Sequence, residues 1–122
     1  MNLSRCIEYW ARHSPARVAL NFEGEDWSYA RLWARILEAS RGLEVAKGDR
    51  IAWLGYNHPD LLVLLFAAAR RGAMLVPLNW RLTPAEHRDI LADCSPRWMF
   101  TDAEHREAAR GLGFRSRGER PS

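Results

Sequence analysis

Nine consecutive residues, Leu61 to Ala69, carry no polar side chain, and that run limits what the chain can become. Asp60 precedes it and Arg70-Arg71-Gly72 follows it. The pattern reads as a helix with cations at its negative end and a glycine stop. A helix that is apolar all round must lie between other layers. Short apolar runs flank it. Ile51 to Leu54 and Ala73 to Leu78 read as strands buried on both faces, and Gly55 to Pro59 reads as the loop before the helix. A strand–helix–strand series of this kind is a right-handed parallel unit that needs helices on both faces of its sheet. The expected fold is α/β, three-layer αβα with a mainly parallel sheet.

The remaining segments supply those helices. Leu3, Cys6, Ile7, Trp10 and Ala11 recur at helical spacing up to a stop at Ser14-Pro15, with Cys6 as a small core residue. Val18 to Phe22 reads as a strand, Glu23 to Asp26 as a hairpin turn, and Trp27 to Tyr29 as the return strand. A helix follows. Tyr29, Leu32, Trp33, Ile36 and Leu37 form its apolar stripe, opposite Arg31, Arg35, Glu38 and Arg41. Ser28 is its expected cap and Gly42 its stop. Thr83-Pro84-Ala85-Glu86 has the capping-box pattern and opens a helix to about Asp93 with Ile90 and Leu91 inward. Ser95-Pro96 breaks it before a third central strand, Arg97 to Thr101. Thr101 or Asp102 caps a last helix from Ala103 to Arg110. Residues 1–110 are thus the expected packed part. Residues 111–122, rich in Gly and Arg, are the expected flexible tail.

Composition narrows the function classes. The net charge is +3, and seventeen of the eighteen basic residues are Arg. They are scattered along helices, and the aromatics sit at core spacing, so no nucleic-acid footprint is expected. Cys6 and Cys94 lack metal-ligand spacing and do not form a disulfide framework. Glu8, Arg12 and His13 interrupt any leader-like apolar core. The longest apolar run is too short to span a bilayer. The reading is a soluble protein of a reducing cytoplasm without a transmembrane segment.

The residues alone offer fragments of chemistry. No GxGxxG follows a strand and no GxxxxGK[ST] occurs. Gly55-Tyr56-Asn57 stands between a strand and a helix N-terminus, where free N–H groups can hold an anion, or where the chain simply turns tightly. His58 reads as a turn residue, and His87 and His105 as residues of exposed helix faces. Asp89 and Asp93 are four apart on one helix, as metal-binding carboxylates can be, but no second ligand pair accompanies them; a solvated face is the simpler reading. No complete active site emerges.

The order of three blocks, WSYARLW, GDRIAWLGYNHPD and GAMLVPLNWRLTPAEHRDILADC, resembles the N-terminal part of the adenylate-forming acyl-CoA synthetases of the AMP-dependent synthetase and ligase superfamily. The resemblance covers roughly Leu3 to Thr101. It implies the activation of a carboxylic acid, as in fatty acid metabolism: acid, ATP and coenzyme A give acyl-CoA, AMP and pyrophosphate. Mg, ATP and coenzyme A are therefore implied for a full-length relative, and none is expected to bind to this segment alone.

The departures from that family matter as much. Its Ser/Thr/Gly-rich phosphate loop ending in Pro-Lys is missing, as are its adenine- and ribose-binding residues and its C-terminal catalytic lysine; Lys47 stands in a turn before a strand. No catalytic residue is assigned. Arg31 stands where the family usually closes a capping box with an acid. One role carries over: the resemblance implies that Arg81, in the Asn-x-Arg-Leu block, contacts a phosphate of coenzyme A, against the alternative of a surface pairing with Glu86. The expected function is that of an inactive N-terminal fragment of an acid–thiol ligase that needs a downstream synthetase domain. The alternative is a non-catalytic module that pairs with a full-length synthetase or with itself through the apolar helix.

Overall fold

The computed structural model describes residues 3–114. The chain runs through α1 (Ser4–His13), a hairpin of β1 (Val18–Phe22) and β2 (Glu25–Ser28), then α2 (Tyr29–Gly42) and β3 (Arg50–Leu54). It continues through α3 (Pro59–Arg70), β4 (Met74–Leu78), α4 (Pro84–Cys94), β5 (Trp98–Thr101), a 3₁₀ turn (Ala103–His105) and α5 (Arg106–Gly111). Strands β4, β3 and β5 form a parallel sheet in that order. The hairpin forms a separate antiparallel pair.

Three apolar clusters hold the layers together. On one face of the sheet Ile51, Trp53, Trp98 and Phe100 meet Leu64 and Ala68 of α3. On the other face Ala52, Leu54, Leu78 and Met99 meet Leu91 of α4 and Ala109 of α5. The third cluster joins the far side of α3, through Val63, to Ile7 of α1, Trp27 of β2, and Leu32 and Ile36 of α2. Helix α3 therefore lies between the sheet and a second helical layer, as its uniform apolarity requires. Of its large apolar residues only Leu62 is exposed, at 39%. The expectation that this helix is a free interaction face is accordingly corrected: α1, α2 and the hairpin cover it.

Local signals place the ends of α3. His58 accepts the Asp60 N–H through Nδ1 at 3.0 Å, which caps the first turn, and Pro59 occupies a position where its missing N–H is not needed. At the other end Ala73 N–H donates to Ala68 O at 2.9 Å and Gly72 N–H donates to Ala69 O at 3.2 Å. These paired bonds are a Schellman motif. Gly72 has φ +72°, a conformation that is costly with a Cβ. Arg71 then donates to the Ser40 carbonyl at 2.7 Å, joining the ends of α3 and α2.

Several boundaries and burials differ from expectation. The hairpin turn is tighter: Glu23 and Gly24 both have positive φ and Phe22 pairs with Glu25, the geometry of a two-residue turn that matches strand twist. Tyr29 opens α2, with Ser28 Oγ accepting the Arg31 N–H. Gly42 is the last helical residue, and the cap is Leu43. Cys6 is exposed, because α1 buries only Ser4 and Ile7 against α2 and the hairpin. Leu112 and Phe114 pack on the second cluster, so packing continues past Arg110. The rest of the expected flexible tail, residues 115–122, lies outside the described residues.

Strand β4 is not buried on both faces: Met74 is 56% exposed and Pro77 is exposed. It is one of the two edge strands of the sheet. Met74 N–H donates to Asp49 O. In a parallel ladder this turns the peptide groups of Met74, Val76 and Leu78 toward β3 and those of Leu75 and Pro77 outward. Pro77 has no N–H, so the open edge lacks one donor, a usual placement for a strand proline.

Two glycines give opposite expectations. Gly72→Ala forces a left-handed alanine whose Cβ lies 3.1 Å from Lys47 Cγ, and it should cost about 1–2 kcal/mol. Gly42→Ala adds a methyl in open space at the end of a helix, and it should stabilise by roughly 0.5 kcal/mol through the unfolded chain. Urea midpoints measured at equal m-values check both; equal shifts in one direction would contradict the assigned geometry.

Candidate functional site

The loops after β3, β4 and β5 meet at the carboxyl ends of the strands, the end where open α/β sheets bind ligands. Asp102 organises this end. Its carboxylate accepts the Tyr56 N–H at 2.9 Å, the His105 N–H at 3.0 Å and a bond from His105 Nδ1 at 2.7 Å. Burial works to raise the Asp102 carboxyl, but these bonds and the His105 charge together hold it below its ordinary value of 3.8. Gly55 lies against it: a Cβ there would stand 2.8 Å from Asp102 Cγ. The possible anion site at Gly55-Tyr56-Asn57 is thus corrected, because the Tyr56 N–H already serves the chain's own carboxylate.

An aromatic group stands above Asp102. The Tyr56 ring is edge-on to His105 at 4.6 Å and to Trp80 at 4.8 Å. Trp80 and Tyr56 are about equally open, at 40% and 39%. The Arg81 guanidinium lies over the Trp80 ring at 4.8 Å. Such stacking holds the cation by its face and leaves its N–H edges directed elsewhere. The alternative partner for Arg81, Glu86, is engaged with the Thr83 N–H and hydroxyl in a complete capping box.

The loop that presents Arg81 is fixed from below. The Asn79 carbonyl accepts the Leu82 N–H at 3.1 Å and a bond from His87 Nε2 at 2.7 Å. The Asn79 side-chain oxygen accepts the Arg81 N–H at 3.0 Å. His87, expected on an exposed face, is 5% exposed; it faces the Asn79 turn, one helical turn above Leu91. His105, also expected outside, is sheltered by Asp102, Tyr56 and Trp80. Neither placement is visible from helical periodicity alone: His87 meets the Asn79 turn eight residues earlier, and Tyr56 and Trp80 reach His105 from other loops. The Asp102 cap was visible in the sequence, and its bond across the sheet to Tyr56 was not.

Two clefts adjoin this cluster. One, of about 520 Å³, lies between Phe22, Asn57 and His58 on one side and Thr101 to Glu104 on the other. A more apolar one, of about 250 Å³, lies between Leu20 and Phe22 of the hairpin and Pro59, Leu61 and Leu62 of α3. Among the described residues no group of three or more His, Cys, Asp or Glu side chains is placed to hold a metal ion. Asp89 and Asp93 are both exposed. Among the described residues no helix is long and apolar enough to cross a membrane.

The depressed Asp102 carboxyl sets a pH dependence. A carboxylate held below its unfolded value stabilises the fold above that value, and the contribution is lost as pH falls through the folded one. Stability should therefore drop below about pH 4, and Asp102→Asn should flatten that drop while costing on the order of 1–3 kcal/mol at neutral pH. Urea unfolding of both proteins across acid pH checks this. An unchanged acid limb in the variant would remove Asp102 from its assigned role.

Comparison with known proteins places this geometry. The sequence model of the AMP-binding enzyme family matches residues 7–120. An indoleacetate–CoA ligase from Aromatoleum aromaticum is 44% identical over 105 residues, covering 84% of this chain and 21% of the relative. A feruloyl-CoA synthase from an Amycolatopsis species is 40% identical over the same shares of each chain. Among solved structures, a Mycobacterium tuberculosis fatty acyl CoA synthetase superposes with a TM-score of 0.83 at 28% identity, over 90% of this chain and 23% of that one. The chain spans about a fifth of the length of the curated relatives it matches. With this fold, this family match and these relatives, the chain belongs to the AMP-binding enzyme family of adenylate-forming ligases and corresponds to part of their N-terminal domain.

Proposed function

We propose that the chain is the first αβα part of a carboxylic acid–CoA ligase and that it supplies scaffold and a coenzyme-facing wall, with adenylation left to residues outside it. The observation that carries the reading is Arg81, braced on Trp80 at the carboxyl end of the sheet in a chain 44% identical to an indoleacetate–CoA ligase. In the proposed reaction a carboxylate attacks the α-phosphorus of ATP and releases pyrophosphate; the thiol of coenzyme A then displaces AMP. Acid activation is needed because AMP is a far better leaving group than oxide. Such chemistry depends on cradling phosphates and countering developing charge.

The chain's own residues divide unevenly over those tasks. Arg81 offers a planar donor edge suited to a phosphate of coenzyme A. For adenylation the 122 residues carry no Ser/Thr/Gly-rich loop ending in Pro-Lys. The one lysine, Lys47, packs beside Gly72 at the amino end of β3, across the sheet from Arg81. A non-catalytic pairing module is less favoured, because the helix that would have served it is covered on two sides.

Two measurements test the reading. Pure chain should show no ATP–pyrophosphate exchange with fatty or aromatic acids, and measurable exchange would overturn the division of tasks. A chimera that carries this chain in place of the matching residues of the indoleacetate–CoA ligase tests Arg81. There Arg81→Ala should raise KM for coenzyme A about tenfold, the loss of one charge-assisted bond, with little change in adenylation. An unaltered KM would return Arg81 to a surface role.

A further inference from the structure

His87 and Leu91, one turn apart, are the buried residues of α4. Packing alone would be served by an apolar side chain at position 87. An imidazole there brings a polar ring that is tolerated only when it is hydrogen-bonded. Its partner is a single backbone atom, the Asn79 carbonyl at 2.7 Å. A carbonyl only accepts, so Nε2 carries the hydrogen. The same carbonyl accepts the Leu82 N–H, which closes a β-turn over residues 79–82. The two central residues of that turn are Trp80 and Arg81. The Asn79 side-chain oxygen takes the Arg81 N–H at 3.0 Å, an Asx turn inside the β-turn. Of these three bonds to Asn79, only that from His87 comes from outside the turn.

We infer that His87 is a positioning residue for Arg81: its ring N–H anchors the turn that carries the Trp80–Arg81 pair and so aims the guanidinium at a phosphate of coenzyme A. The inference rests on the proposed coenzyme contact and adds the residue that directs it. The cation lies over the Trp80 ring at 4.8 Å, and that ring stands edge-on to Tyr56 at 4.8 Å. These contacts hold the two side chains against each other. The backbone from which both spring is fixed separately. Before the turn Leu78 is buried at the end of β4, and after it Thr83 is locked in the capping box. Between those points, among the described residues, His87 is the one side chain outside the turn that hydrogen-bonds to it. A guanidinium meets a phosphate through a planar fork, so a small tilt of its backbone weakens the contact.

The chimera with the indoleacetate–CoA ligase tests this, with Arg81→Ala as the reference. His87→Phe keeps a ring and removes the donor. It should raise KM for coenzyme A about three- to tenfold, the worth of one neutral hydrogen bond. ATP–pyrophosphate exchange, which needs no coenzyme A, should change by less than about twofold. His87→Gln, whose amide N–H reaches near the place of Nε2, should restore most of the wild-type KM. A raised KM in Arg81→Ala beside a wild-type KM in His87→Phe overturns the inference and leaves the proposed function standing. A loss in His87→Phe that His87→Gln does not mend also overturns it, by reducing the ring to packing. An unaltered KM in Arg81→Ala removes the proposed function, and magnetic resonance of the isolated chain then decides on the anchor. There His87→Phe should move the Arg81 amide and Trp80 indole signals and His87→Gln should return them; unmoved signals overturn the inference. A neutral His87 ring with its proton on Nδ1 in the wild-type chain overturns it as well, and that measurement stands even where His87→Phe fails to fold.

Discussion

Everything else in this molecule depends on α3 being packed on both sides. Leu64 and Ala68 face the sheet while Val63 faces the outer helices. Two clusters of core thus share one helix. An alanine-rich stretch makes that possible: Ala67 and Ala68 are fully buried, and their small side chains allow close approach. Had the helix a polar face, either the sheet or the α1–α2–hairpin layer would lose its partner. The Schellman bonds at Gly72 and the Arg71–Ser40 bond then fix where β4 starts. The ends of the helix and the register of the sheet are set by the same few residues.

From that frame follows the character of the carboxyl end. Parallel strands deliver three loops to one place, and Asp102 ties two of them together through Tyr56 and His105. The third loop is held by His87 beneath Asn79. These are rigid supports for exposed groups, since a buried carboxylate or imidazole is costly to leave unpaired. Tyr56, Trp80 and Arg81 stand above them, presented and open. The turn that looked able to bind an external anion is closed by an internal one. Cys94 fits the same division between support and chemistry: burial pushes its thiol up, against the pull of Arg50, which favours the thiol over the thiolate.

Much of this was legible from the chain alone. The apolar run, its flanking strands, the Thr83–Glu86 box and the Ser28 cap are local patterns, and local hydrogen bonds determine them. The family resemblance rested on the same blocks. Besides element boundaries and the anion site, what failed were statements about exposure. Cys6 and Trp10 fit an apolar stripe on α1, yet only Ser4 and Ile7 are buried. His87 and His105 fit polar faces, yet both are sheltered. Whether a helical position is inside depends on which layer lies opposite, and that layer is remote in sequence.

The sequence by itself determined which segments are helix or strand, and that one helix had to lie between layers, because capping chemistry and hydrophobic period act over a few residues. Only the tertiary structure decided that β4 is an edge, that Asp102 is bonded across the sheet to Tyr56, and that Tyr56 and Trp80 share one open end. Those facts follow from strand order and from contacts between loops far apart in the chain, and no local pattern of residues encodes such long-range pairing.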